Sequence, residues 1–374
     1  MHSKKIARLC LDEAHVLFLD TCYRKSLLSV KKVIGYDFPK IFVTGTLPPE
    51  LLQVFLDATG LNPLTHIIRA PTSRPELAYR LIPSRSNAEV KDAAVALAYY
   101  LQYHSFTSRS RGIIYVNSTM EVEILAERLD CLFYHAKMEL KDRTLSHNRW
   151  KTGATPSEQW IVATSAFSHG IDQPYVEATI FAGRFFDFIK FAQASARGGR
   201  KDSVRCDVVM FYTPQKVTVP KPDHALAGEF NKWLLNKTDC RRIGISKAFD
   251  GSNHMVTCST LPHAELCDIC DQSSDTSGIQ KAVAYATSDD VKLLPLSDPG
   301  TEQSDIYDQF LDNHPISASV LKQLEEIENQ ERVTKGTSNK RTASLEDLPP
   351  AKRQAIQEPS SGSSQSTGQS NVSS

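Results

Sequence analysis

No run of about 18 apolar residues occurs anywhere in this chain of 374, so no segment reads as a membrane-spanning helix. Net charge is also missing. The 43 Lys and Arg are matched by 43 Asp and Glu, so the whole-chain balance gives no argument for a polyanionic partner, and any such contact must come from local patches. No secretory signal is visible: Met1-His2-Ser3-Lys4-Lys5 leads into an apolar stretch broken by Arg8, Asp12 and Glu13. Without one, eight cysteines point to a reducing compartment, where clustered cysteines suggest metal before disulfide. Internal repeats are absent. The apolar fraction of 41% is low for a wholly globular chain and points to a disordered part.

What is there begins with strand-like apolar runs. Ile6 to Leu11 reads as a buried strand ending in Asp12-Glu13-Ala14-His15, and Lys40 to Thr46 repeats the pattern. A Pro48-Pro49 helix start follows, then an amphipathic Glu50 to Thr59 closed by Gly60. Beyond a proline-containing connector at 70–76, helices are expected over 89–104 and 119–130. Strands are expected over 112–116, 132–135, 160–163, 176–181 and 206–211. Strands alternating with helices predict a mostly parallel α/β sheet with ligands at the carboxyl ends of its strands. From residue 273 onward Ser, Thr, Asp, Gln and Gly dominate, which predicts a disordered tail. Within it, Leu321, Leu324 and Ile327 have helical spacing, as an isolated helix or a partner-binding segment would.

The acids after the first strand suit an NTPase, in which an aspartate holds Mg²⁺ and a glutamate polarises the attacking water. Thr44 and Thr46 end the next strand, where their hydroxyls are placed to hydrogen-bond that acidic box. Farther on, Ala163 to Asp172 combines small residues and hydroxyls, a texture that allows close approach to a phosphate. Gln193-Ala194-Ser195-Ala196-Arg197-Gly198-Gly199-Arg200 reads as a helix with both arginines on one face, and guanidinium groups suit phosphate because they donate in pairs and stay charged.

Taken in order, these elements resemble a superfamily 2 helicase of the RecQ type over roughly residues 6–215. Asp12 to His15 resembles motif II, Phe42 to Pro49 motif III, and Gly112 to Ser118 motif IV. Phe133 to Met138 is similar to the family's YHAG segment, Trp160 to Asp172 to motif V, and Gln193 to Arg200 to motif VI. The resemblance implies ATP and Mg²⁺ as cofactors and single-stranded or forked DNA as partner. It implies Mg²⁺ coordination by Asp12, water activation by Glu13 and transition-state charge stabilisation by Arg197 and Arg200. Nucleotide contact falls to His15, Asp172 and Gln193, and DNA contact to Ser118 and Thr164.

A second signal lies in the cysteines. Cys240-Arg241-Arg242, Cys258 and the knuckle Cys267-Asp268-Ile269-Cys270 suit tetrahedral structural Zn²⁺. The RecQ family places a Cys-Arg-Arg helix and a Cys-Asp-x-Cys knuckle at this position. Its second ligand usually sits where this chain has Ala264, so Cys258 is the choice here and His263 the rival. Cys10, Cys22, Cys131 and Cys206 are expected in the core. Lys340-Arg341 and Lys352-Arg353 resemble a loose bipartite nuclear signal, as a nuclear protein would carry.

There are departures. No Gly-x-x-x-x-Gly-Lys-Ser/Thr loop occurs, and the chain begins almost at motif II, as an N-terminally truncated helicase would. A first lobe reduced to two strands predicts an open sheet edge and an unburied helix face, to be covered by a missing N-terminal half or a protein partner. The loop Val16 to Arg24 lacks the family's Ser-Gln-Trp-Gly-His pattern, and no winged-helix domain is expected after the zinc module. The organisation expected is a first-lobe remnant over 1–75 and a RecA-like parallel-sheet second lobe over 76–215. A small helical zinc-binding subdomain over 216–272 and a disordered polar tail over 273–374 complete it. Two functions stay open: an ATP-dependent 3′–5′ DNA helicase of repair or recombination, or a non-catalytic DNA-binding or partner-binding module derived from one. A DEAH-type RNA helicase shares the acidic box but leaves the cysteines unexplained.

Overall fold

Short, nearly all-apolar runs such as Trp160-Ile161-Val162-Ala163 have no polar face to show to water, so they form strands covered on both sides. The computed structural model describes residues 7–19, 32–36, 38–61, 65–168, 171–185, 187–201, 204–217, 226–271 and 283. In it, six such strands form one parallel sheet: β3 (Leu77–Pro83), β4 (Arg111–Tyr115), β5 (Leu132–Tyr134), β6 (Trp160–Ala163), β7 (Val176–Ala182) and β8 (Cys206–Tyr212). Their order across the sheet is β3-β8-β7-β4-β6-β5, with β3 and β5 at the edges. This is the parallel-sheet architecture that the sequence reading expects of a RecA-like lobe. A separate parallel pair is made by β1 (Leu9–Leu11) and β2 (Lys40–Phe42), with Cys10 opposite Ile41.

The helices are α1 (Val16–Leu19), α2 (Leu52–Thr59), α3 (Asn87–His104), α4 (Thr119–Arg128), α5 (Leu140–Thr152), α6 (Phe188–Ser195), α7 (Ala227–Leu235) and α8 (Arg241–Asp250). Their starts are written in the sequence. Ser86, Ser118 and Asp187 are N-caps whose side chains accept from the backbone N–H of Glu89, Glu121 and Lys190. Among the described residues no helix is long and apolar enough to cross a membrane.

An aromatic cluster ties the sheet to the helices that follow it. Phe188 stacks on Phe230 at 5.0 Å and meets Phe249 at 5.5 Å, while Trp233 lies against Phe191 at 5.0 Å and Tyr79 at 6.3 Å. These rings come from α6, α7, α8 and β3, so the cysteine-bearing segment shares a core with the sheet.

Several expectations are corrected. β3 and α5 were not anticipated. Arg80 interrupts the apolar run of β3, but it is buried against Asp207 and Asp271. In α5 only Trp150 is buried, and Leu140 and Leu145 are exposed, so no apolar stripe announces the helix. Cys10 is exposed and Cys131 half-buried, whereas Cys206 lies in the core as expected. Cys22, the loop residues 20–24, the 320–333 segment, the tail's basic pairs and the tail as a whole (Val283 apart) lie outside the described residues.

In the β1–β2 pair, the Val43 N–H donates to Leu11 O at 2.8 Å and the Ala14 N–H to Val43 O at 3.0 Å. Ile41 and Val43 are exposed there, as is Val54 of α2. The connector after it is anchored both to the loop after β2, where Arg69 Nη1 donates to Leu47 O at 3.0 Å, and to the end of α8, where the Thr72 N–H donates to Asp250 Oδ1 at 3.0 Å.

Candidate functional site

The acidic box follows β1 in a turn, with Glu13 in the left-handed region at φ 48°. A non-glycine residue there is uncommon, and the conformation costs on the order of 1–3 kcal/mol that surrounding contacts must offset. The Glu13 N–H is bonded to Asp12 Oδ1 at 2.8 Å, so Asp12 itself braces the turn. His15, two residues on, is buried.

The loop after β2 supplies Thr44 and Thr46, and α6 supplies Gln193. Gln193 Nε2 lies 2.9 Å from His15 Nε2 and donates to Thr46 Oγ1 at 3.0 Å, and His15 Nδ1 lies 2.8 Å from Thr44 Oγ1. With the amide as donor, Nε2 of His15 is the acceptor and its proton sits on Nδ1, directed at Thr44. The threonine hydroxyls thus reach the acidic box through His15 and Gln193. Gln193 therefore joins the carboxyl-end loops of β1 and β2 to a helix packed on the six-stranded sheet.

Arg197 and Arg200 lie beyond α6, which ends at Ser195, in a turn closed by Gly199 at φ 60°. They are not on a helix, which corrects the sequence reading: α6 is already capped at Ala196, and Gly199 allows the turn that follows. Gly198 itself has no room for a side chain, since a Cβ there would collide with Cys206 Sγ. Arg197 is buried and donates through Nη1 to Ile171 O at 3.0 Å, while its Nε has no hydrogen-bond partner. Arg200 Nη1 pairs with the exposed Asp172 at 3.0 Å.

Electrostatics link the two sides. Burial, helped by the neighbouring Asp12 carboxylate, raises the Glu13 carboxyl above its ordinary value, while Arg197 opposes that rise. Burial and then Arg200 lower the Arg197 guanidinium, and Tyr115 and Glu13 work the other way. Two ionisable groups disfavoured in their charged forms by burial therefore support each other across the site.

Of the remaining sequence candidates, Ser118 caps α4 through its hydroxyl, and Thr164 Oγ1 accepts weakly from the Ala166 N–H at 3.4 Å, next to β6. His169 and Gly170 of the motif V segment are outside the described residues.

The sulfurs of Cys240, Cys258, Cys267 and Cys270 all lie within 4.8 Å of one another, and His263 is not in that group. Cys240 is 3.5 Å from Cys258 and 3.9 Å from Cys267. A tetrahedral zinc with bonds of about 2.3 Å implies sulfur separations of about 3.8 Å, so the donor set fits that ion in number, chemistry and spacing. Hydrogen bonds from Cys240 and Cys258 hold the Cys267 thiol far below its ordinary value, while Cys240, Cys258 and Cys270 are pushed up, so without an ion the cluster carries its charge on Cys267.

The residues between and beside the cysteines were missed as functional by sequence reasoning. Arg241 grips Asp268 with Nε–Oδ1 at 2.8 Å and Nη2–Oδ2 at 2.9 Å. Arg242, fully buried, donates to the carbonyls of Arg74 (2.6 Å), Pro75 (3.1 Å), Leu77 (2.8 Å) and Glu265 (3.0 Å). The signal was available: an Asp enclosed by two ligands and an Arg beside a third form a complementary pair.

Comparison with known proteins agrees with this geometry. Residues 94–202 match the family described as "Helicase conserved C-terminal domain". Over 291 residues the chain is 29% identical to the ATP-dependent DNA helicase Q1 of Mus musculus, covering 70% of this chain and 42% of that protein. It is 25% identical to the RecQ-like DNA helicase BLM of Xenopus laevis, covering 71% of this chain and 20% of that one. The chain is a homologue of the RecQ-type ATP-dependent DNA helicases. This RecQ-type homologue spans about two fifths of the length of its mouse relative. In fold it is similar to a variant of S. cerevisiae Dbp5 bound to RNA and ADP BeF3, with a TM-score of 0.51 and 14% identity over 77% of this chain and 65% of that one.

Proposed function

We propose that this RecQ-type homologue is part of an ATP-driven motor that moves 3′–5′ on single-stranded or forked DNA and serves repair or recombination in the nucleus. The observation that carries the reading is Gln193. It contacts His15 of the acidic box and Thr46 of the neighbouring loop, so the arginine-bearing turn beyond α6 and the acidic box are held to one site. In this reading 1–75 is the first-lobe part, 76–215 the second lobe, 216–272 the zinc subdomain and 273–374 a polar tail.

ATP would supply the phosphoryl chemistry and Mg²⁺ the charge that neutralises its phosphates. Asp12, exposed at the mouth of the turn, is the residue to hold the metal. Glu13, whose proton affinity is raised by burial, is the residue to orient and deprotonate water. Arg197 and Arg200 would meet phosphate, Arg200 after leaving Asp172. His15, Asp172 and Gln193 would report nucleotide state, and Ser118 and Thr164 would approach the DNA backbone. Structural Zn²⁺ would be held by Cys240, Cys258, Cys267 and Cys270.

The second reading, a DNA-binding or partner-binding module without turnover, draws on one observation: no Gly-x-x-x-x-Gly-Lys-Ser/Thr loop lies within the 374 residues. ATP hydrolysis measured with and without single-stranded DNA, beside Glu13→Gln, decides between the two. Turnover that rises with DNA and is lost in E13Q supports the motor. Equal background rates in both, with DNA still bound, refute it for this chain and leave the module.

A further inference from the structure

The amino ends of β7, β4 and β6, neighbours in the sheet, carry a group of charges that the proposed function leaves unused. Arg109 stands in the turn before β4 and Tyr175 just before β7. Lys201 lies beyond the arginine turn, which is tied to β7 where the Gly199 N–H donates to Val176 O at 3.1 Å. The Lys201 ammonium donates to the Tyr175 hydroxyl at 2.7 Å and lies 4.8 Å from the ring centre. The Arg109 guanidinium lies 6.0 Å from that same centre. Two cations thus converge on one phenol. The hydrogen bond and charge of Lys201, and then the charge of Arg109, hold the Tyr175 hydroxyl below its ordinary value, the mark of a positive field.

These positions are fixed from beneath. Buried Arg111 donates to Ser108 O at 3.0 Å and Ser110 O at 2.8 Å, which holds the turn that presents Arg109. It also donates to Trp150 O at 2.7 Å in the last turn of α5, and its N–H donates to Tyr175 O at 2.9 Å. Gln173 Nε2 donates to Lys151 O at 2.9 Å, so the exposed Lys151 belongs to the same surface. Among the described residues, none of Arg109, Lys151 and Lys201 is paired with a carboxylate. The acids around them are engaged elsewhere: Glu158 with Arg149 at 2.7 Å and Asp172 with Arg200 at 3.0 Å. Burial raises the proton affinity of Glu177, which weakens it as a counter-charge.

We propose that Arg109, Lys151 and Lys201 form a second DNA-binding surface at the amino end of the sheet, which holds a strand by its phosphates. It is separate from Ser118 and Thr164, which follow β4 and β6 at the carboxyl end. A lone anion could meet one of these cations. Three unpaired cations on separate elements, each on a braced backbone, fit a partner whose negative charges repeat along a chain. Guanidinium and ammonium groups without carboxylate partners suit phosphate oxygens, and contacts of this kind carry no sequence preference. With no net charge on the chain as a whole, a local patch of this sort is the way it can attract a polyanion. The inference rests on the DNA part of the proposed function and is independent of ATP turnover.

The test measures binding of the full chain to a single-stranded DNA oligonucleotide of mixed sequence across a series of salt concentrations. Each phosphate contact on a single strand contributes about 0.7 to the slope of log affinity against log salt. The combined variant Arg109→Gln, Lys151→Gln, Lys201→Gln is therefore expected to lower that slope by about 2, and Arg109→Gln alone by about 0.7. The charge-keeping set Arg109→Lys, Lys151→Arg, Lys201→Arg is expected to retain the parent slope. An unchanged slope in the Gln variants, an equal loss in the charge-keeping set, or a parent chain that binds no DNA would each overturn the surface. Polyglutamate that competes as well as DNA at equal charge would overturn DNA as its partner. ATP hydrolysis separates this inference from the motor. A lowered slope without turnover in the parent would remove the motor and leave the surface, and DNA-stimulated turnover with an unchanged slope would do the reverse.

Discussion

Replacing Gln193 with Ala tests whether one side chain docks the β1–β2 unit onto the helicase domain. Two buried hydrogen bonds would be lost, to His15 at 2.9 Å and Thr46 at 3.0 Å, along with a long contact to Glu13 at 3.5 Å that adds little. Neutral bonds of this kind contribute about 1 kcal/mol each, so the docked state should weaken by about 2 kcal/mol. At 1.4 kcal/mol per factor of ten, this is about a 30-fold rise in the undocked population. The readout follows from the fold. A two-stranded sheet is marginal in isolation, so the Val43 N–H, bonded to Leu11 O at 2.8 Å, keeps its protection only while docked. Hydrogen exchange should show the Val43 and Ala14 amides about 30-fold faster in Gln193→Ala, with amides of β4 and β7 unchanged. Arg69 on Leu47 O would remain and limit the opening. Exchange at Val43 within a factor of two of the parent would refute the reasoning and place the docking energy in the connector instead.

Other outcomes follow from the same contacts. Arg242→Met leaves buried carbonyls such as that of Leu77 without their donor and should cost at least about 1–3 kcal/mol in urea denaturation, the penalty of an unsatisfied buried acceptor. Cys258→Ser should lower bound zinc, measured by metal analysis, whereas His263→Ala should leave it at the parent level. Glu13→Gln should be stabilising at pH 7. Burial raises the folded-state affinity of Glu13 for its proton above the ordinary 4.5, so its contribution to stability is full below 4.5 and lost as pH climbs through the raised value. The gain of the Gln variant over the parent should therefore be present in denaturation at pH 7 and vanish near pH 4. Gly198→Ala should destabilise the fold and lower its melting temperature, because the new methyl meets Cys206 in the core.

The sheet was legible because parallel strands covered on both faces advertise themselves as apolar runs, as β4, β6, β7 and β8 do. β3 escaped notice because its middle residue, Arg80, looks like a surface charge until Asp207 and Asp271 are seen beside it. α5 escaped because it rests on the sheet by one tryptophan. At the site, the residue types and their order were visible while their geometry was not. Two arginines three apart suggest a helix face, but α6 ends at Ser195 before either is reached. The four thiols could be chosen from spacing, but the work of Asp268 and Arg242 depends on where β3 lies, which no local pattern encodes.

The charges at the site argue for how it would be used. Asp12 and Glu13 sit side by side, and the second is disfavoured as an anion by burial and by the first. Arg197 is the nearby cation that relieves Glu13, and it is itself disfavoured as a cation by burial and by Arg200. A polyphosphate brought to Arg197 and Arg200 would ease the repulsion between the arginines but would worsen the position of the two carboxylates. A divalent cation near Asp12 would restore the balance on that side, so the reading as an ATP site calls for the metal there. It follows that in the proposed motor nucleotide affinity should fall steeply when Mg²⁺ is removed, and fall less in Asp12→Asn. An affinity for ATP that is indifferent to Mg²⁺ in the parent chain would show that the acidic box does not face the phosphates.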